Sequence, residues 1–103
     1  MRLGEKMDRK ERFSEDFLTD LIVAIDRYDA ISTSTGNRFR AKIDERLDLI
    51  MASPEAFAAS LDNVRPVRVR SYPYIILYEV FDDHVHFIAL VHGAGERKNW
   101  FEF

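Results

Sequence analysis

The sequence contains no cysteine, which excludes disulfides, thiolate metal sites and cysteine nucleophiles. Its four glycines are scattered and never form the run that cradles a phosphate, and no His-Glu-x-x-His helix is present. No stretch approaches the ~20 apolar residues of a membrane span. Met1–Arg12 lacks the apolar centre of a signal peptide, so a cytoplasmic location and no membrane partner are expected. An excess of positive charge is also missing: 15 Lys and Arg face 18 Asp and Glu, for a net charge of −3. Phosphate binding is driven by counterion release and wants the opposite sign, so a surface devoted to clamping nucleic acid is disfavoured. Nothing in the chain implies a cofactor or a bound metal.

What remains is 103 residues, 47% hydrophobic and 32% charged, the make-up of one ordered domain with a modest core. The charge is uneven. Residues 1–13 carry five basic and three acidic side chains, residues 14–63 five and ten, and residues 64–103 five of each. The acidity therefore belongs to the middle of the chain. Residues 1–8 read as a flexible leader, with Met7 a second candidate start, running into a short strand that ends near Phe13.

Ser14 is an N-cap, and Glu15 and Asp16 behind it face the positive end of a helix dipole. Phe17, Leu18, Leu21, Ile22, Ile25 and Tyr28 recur at spacings of three and four, predicting a helix to about Ala30 with one broad apolar stripe. Ser32 to Asn37 reads as a turn of about six residues. Phe39, Ile43, Leu47 and Ile50 then define a second helix, which Pro54 ends near Ala52. A short loop between two amphipathic helices predicts an antiparallel hairpin.

From Val64 the period becomes two. Val67 and Val69 alternate with Arg68 and Arg70. Tyr74–Phe81 and Val85–Val91 are apolar on both faces and are joined by a turn at Asp82-Asp83. One face of these strands must meet the helices and the other needs partial cover. The predicted class is α+β: an N-terminal strand and an antiparallel helical hairpin packed on a small, mostly antiparallel sheet, in the order β-α-α-β-β-β.

Several residues in this order are characteristic as a set. They are Phe13-Ser14, Asp20-Leu21, Arg38-Phe39, Ser53-Pro54-Glu55, Val67-Arg68-Val69-Arg70, Tyr74-Ile75-Ile76-Leu77-Tyr78-Glu79-Val80 and Ile88-Ala89-Leu90-Val91-His92-Gly93. Over residues 13–100 the chain resembles the RelE/ParE superfamily of toxins from bacterial type II toxin–antitoxin (plasmid stabilisation) modules. The resemblance implies one toxin domain over 1–103 that inhibits growth and is neutralised by a cognate antitoxin. It also implies assembly with that antitoxin or with copies of itself. Two actions follow from the two branches: poisoning of DNA gyrase, as in ParE, with no enzyme activity of its own, or ribosome-dependent mRNA cleavage by an endoribonuclease, as in RelE. A third reading keeps the fold without the activity. Many relatives carry an arginine three residues after the final histidine, then Asp-Pro. Here Gly95, Glu96 and Arg97 stand there, while Trp100 falls where the family's Trp does. The basic C-terminal cluster of the mRNA-cleaving branch is absent. These departures, with the net acidity, favour gyrase over the ribosome and its message.

The candidate partner- or target-binding residues are Arg65, Arg68, Arg70, Tyr74, Arg97, Lys98, Trp100, Phe101 and Phe103. Arg68 and Arg70 are expected on one sheet face with Arg65 just before them, as a patch for phosphate or acidic side chains, or as an ordinary solvated strand face. Asn99–Phe103 carries three aromatics, which read as a tail folded over the sheet or as anchors for a partner. Candidates for chemistry are Arg68, Arg70, His92 and Arg97. His92 titrates in the right range for a base, but is expected to be a partly buried, hydrogen-bonded strand end. His86 and His92 are expected to share a face about 20 Å apart at ~3.3 Å per residue, too far for one ion. His84 is placed in the turn.

Overall fold

The computed structural model describes residues 9–93; the expectations for the leader 1–8 and for the tail beyond Gly93 lie outside the described residues. Strand β1 (Lys10–Phe13) is followed by helix α1 (Glu15–Asp29), helix α2 (Thr33–Ala52), a short 3₁₀ turn (Leu61–Asn63), and strands β2 (Arg65–Val69), β3 (Tyr74–Val80) and β4 (His84–His92). The strands form one sheet in the order β1-β4-β3-β2. β1 runs parallel to β4, and the other two pairings are antiparallel. This is the α+β arrangement read from the sequence.

The Phe17 amide donates to the Ser14 hydroxyl at 2.9 Å, so α1 starts on the cap expected for it. Its apolar stripe is narrower than the periodicity implied. Phe17 and Ala24 are buried, with Leu21, Ile25 and Tyr28 packed against the core, while Leu18, Ile22 and Val23 are 46%, 61% and 54% exposed.

The helix connection also differs. The predicted six-residue turn is mostly helix, because α2 begins at Thr33 and only Ala30–Ser32 join the two helices. Ser32 supplies the cap, its hydroxyl accepting the Thr35 amide at 3.0 Å. Serine and threonine suit a turn and a helix start alike, and here the Ser32 hydroxyl and carbonyl accept the Thr35 and Gly36 amides of the first turn. Gly36 is buried where the two helices pass closest. A Cβ there would lie 2.8 Å from Asp29 Cγ and 3.2 Å from Asp29 Cα.

The core lies between the hairpin and one sheet face. Phe17, Phe39, Ile43 and Ile50 meet Val67, Val69, Tyr74, Ile76, Tyr78, Val85, Phe87 and Leu90. A register shift in β4 makes this possible. Tyr78 pairs with Phe87 and Leu77 with Ala89, so Ile88 is an extra residue with no partner. The bulge reverses the phase of β4, and odd-numbered Val85 and Phe87 share the helix face with even-numbered Leu90. His86 and His92 consequently point to opposite faces, not to one as expected.

Candidate functional site

The far face of the sheet carries Arg68 on β2 and Ile75, Leu77 and Glu79 on β3, in the register that pairs Arg68 with Ile75. Arg70, expected beside Arg68 on the strand face, lies just past β2 as the first residue of the β2–β3 turn. Both arginines are exposed, whereas Ile75 and Leu77 are buried. Among the described residues, the cations of this face stand at its two edges, Arg68 on β2 and Lys10 and Arg12 on β1, whose neighbour Phe13 takes the helix side with Phe87. The aromatic tail expected over it, with Trp100, Phe101 and Phe103, lies outside the described residues, as do Arg97 and Lys98.

Arg65 does not join Arg68 and Arg70. It has the opposite parity on β2, and its guanidinium donates to the Phe57 carbonyl. Tyr74 is buried on the helix side, its hydroxyl accepting from Arg27 at 3.0 Å. His92 meets the Tyr74 ring edge-on, with centroids 5.1 Å apart. It is an exposed strand end whose ring makes no hydrogen bond among the described residues, which corrects the partly buried, bonded position expected for it.

The histidines stay apart. His84 is the first residue of β4 and not part of the turn; its Nδ1 lies 2.7 Å from Asp83, and its ring stacks on Phe81. His86 Nδ1 is 3.5 Å from Glu79. Among the described residues, no three His, Asp or Glu side chains converge as a metal site requires.

The structure adds a residue that the sequence reading passed over. Arg46, from the middle of α2, lies with Arg68, Val69, Arg70, Ser71 and Tyr72 around an open cleft of about 520 Å³. Its Nε is buried and meets no acceptor among the described residues. The signal was present in the spacing, since position 46 falls beside Ile43, Leu47 and Ile50 on the apolar side of α2. Ser71, on the cleft wall, has φ 74°, the left-handed region that costs a side-chain-bearing residue about 1–2 kcal/mol. Next to the cleft, Glu45 is bonded to Lys42 at 2.9 Å. That hydrogen bond holds the Glu45 carboxyl below its ordinary pKa, with Arg46 and Arg70 adding weaker attraction.

With this geometry described, comparison with known proteins identifies the lineage. Residues 12–96 match the family model described as ParE toxin of type II toxin-antitoxin system, parDE. The chain belongs to the ParE toxin family. Two solved structures share the fold. The chromosomal ParDE TA system from P. aeruginosa superposes with a TM-score of 0.72 at 13% identity, covering 84% of this chain and 97% of that one. The E. coli DinJ-YafQ toxin-antitoxin complex superposes with a TM-score of 0.62 at 15% identity, covering 86% and 97%. No curated protein matches the chain significantly. No helix among the described residues is long and apolar enough to cross a membrane.

Proposed function

We propose that the chain is the toxin of a type II module that arrests growth by binding DNA gyrase and is neutralised by a cognate antitoxin. Membership of the ParE toxin family supports the toxin role. The observation that carries the choice of a protein target is that, among the described residues, the sheet's cations stand in small groups at its two edges, Lys10 and Arg12 on β1 and Arg68 and Arg70 at the end of β2, and not along a continuous track. Arg46, Arg68 and Arg70 gather around one cleft, while Ile75 and Leu77 at the centre of the sheet are buried. A strand of RNA needs cations along its length. A protein target needs a small complementary patch.

The antitoxin reading draws support from Leu18, Ile22 and Val23, three neighbouring apolar side chains left exposed on α1. Exposed apolar surface of this kind marks partner binding when a helix or extended segment can lie along it. The test is to induce the gene alone and then together with any small gene beside it. Growth arrest relieved by the neighbour is expected. Growth unaffected by induction would overturn the toxin reading.

A further inference from the structure

We propose that the cleft between the middle of α2 and the β2–β3 turn is a carboxylate pocket that grips an acidic, extended segment of a partner protein. The inference rests on reading the β2 edge as a protein-facing surface and names the chemistry of what meets it.

Among the described residues, the arginines away from the cleft, Arg12 excepted, are occupied. Arg9 lies 3.7 Å from Glu55, Arg27 bonds the Tyr74 hydroxyl, Arg38 bonds Ser34, Arg40 holds both carboxylate oxygens of Asp29, and Arg65 donates to the Phe57 carbonyl. Arg12, on β1, forms no hydrogen bond through its guanidinium among the described residues but attracts the Asp83 carboxylate. Arg46, Arg68 and Arg70 have no acceptor among the described residues, yet they line one cavity. Glu45, beside the cleft, is bonded to Lys42 and attracts Arg46 and Arg70 only weakly, so three like charges, with the Nε of one of them buried, are left for a further anion to complete. The planar guanidinium fork matches a two-oxygen anion, which makes a carboxylate or phosphate the natural ligand.

Two observations choose the carboxylate of a peptide over a polynucleotide. Asp44, Glu45 and Asp48 occupy the adjoining exposed side of α2, so a long polyanion leaving the cleft meets negative charge. Arg68, on β2, and Arg70, the first residue of the β2–β3 turn, are both exposed and two positions apart, so the chain holds them within ~7 Å of each other. Alternate side chains of an extended peptide repeat on the same scale. The fitting ligand therefore carries two closely spaced acidic residues, with Arg46 closing on one of them from α2.

The experiment titrates the full chain at low salt with the blocked peptide Glu-Ala-Glu-Ala-Glu, its all-glutamine counterpart, inorganic phosphate and a single-stranded oligouridine. The glutamate peptide is expected to bind at least about tenfold more tightly than the glutamine peptide. Arg46→Gln should remove that difference, and Arg46→Lys should restore only part of it. In the unmodified protein, the Nε–H resonances of Arg46, Arg68 and Arg70 should shift together, a readout that does not depend on how a variant folds. Equal binding of the two peptides, resonances that stay put, or oligouridine binding more tightly than the glutamate peptide would each overturn the proposal. If peptide binding fails while gyrase inhibition persists, the pocket alone is wrong. Peptide binding without gyrase inhibition removes only the choice of target.

Discussion

Asp20, on α1, accepts the backbone amide of Leu90 at 3.0 Å, next to the bulge in β4. Ser14 completes the clasp, its hydroxyl donating to the Ile88 carbonyl at 2.6 Å and its amide to the Phe87 carbonyl at 3.0 Å. A bulge leaves backbone groups without ladder partners, and these two side chains satisfy them. The same bulge lets Phe87 and Leu90 face one core. Phe13-Ser14 and Asp20-Leu21, sequence marks of the superfamily, therefore fasten helix to sheet.

Removing the clasp should be costly. Asp20→Ala leaves the Leu90 amide in a half-buried site without an acceptor, and a loss of about 1–3 kcal/mol is expected in urea unfolding. Hydrogen exchange of the Leu90 amide should accelerate in the same variant. An unchanged unfolding midpoint would show that the bulge holds without Asp20.

Gly36→Ala tests the close approach of the helices. Alanine gains about 1 kcal/mol of helix propensity, but overpacking costs about 1–3 kcal/mol. The steric effect is expected to win, since the Asp29 carboxylate is pinned by Arg40 at 2.8 Å and cannot swing away without breaking that pair. The variant should melt lower than the parent. A higher melting temperature would mean that Asp29 relocates at little cost.

Tyr78 gives a pH dependence of known sign. Its hydroxyl donates to the Pro54 carbonyl at 2.6 Å, and burial pushes its pKa up from 10.0 to about 12. Because the folded value lies above the unfolded one, the contribution is fully present below pH 10 and is lost as pH rises toward about 12. The fall should reach up to about 3 kcal/mol over that interval. Tyr28, raised by burial and then by Tyr74 and Tyr72, acts in the same direction. Unfolding of the parent and of Tyr78→Phe measured at pH 9 to 12 should show the parent losing more stability with rising pH. Parallel curves would rule Tyr78 out as the source.

The helices, the Ser14 cap and the alternating face of β2 were legible because each is written in local spacing. The bulge at Ile88 was not, since one extra residue is invisible in a strand apolar on both sides. That single residue decided the placement of His92. The start of α2 was misread because Ser32, Thr35 and Gly36 have the chemistry of both a turn and a cap, and packing against Asp29 chose between them. Arg68 could be placed on a face from sequence, while Arg70 continues the same alternation past the end of β2 into the turn. Arg46 could not be brought to them, because its position depends on where α2 crosses the sheet.

The basic corner itself should matter to growth arrest and not to folding. Arg68 and Arg70 are exposed and make no bond among the described residues, so the double change Arg68→Ala/Arg70→Ala should shift stability by only about ±0.5 kcal/mol per site. Toxicity on induction should fall sharply. A double variant that arrests growth as well as the parent would sink the role assigned to this corner.

The most direct test of the central claim sets purified protein against DNA gyrase in a supercoiling assay and against a translated message in parallel. Inhibited supercoiling with the message intact is the predicted result. Cleavage of the message on the ribosome, with supercoiling unaffected, would contradict it.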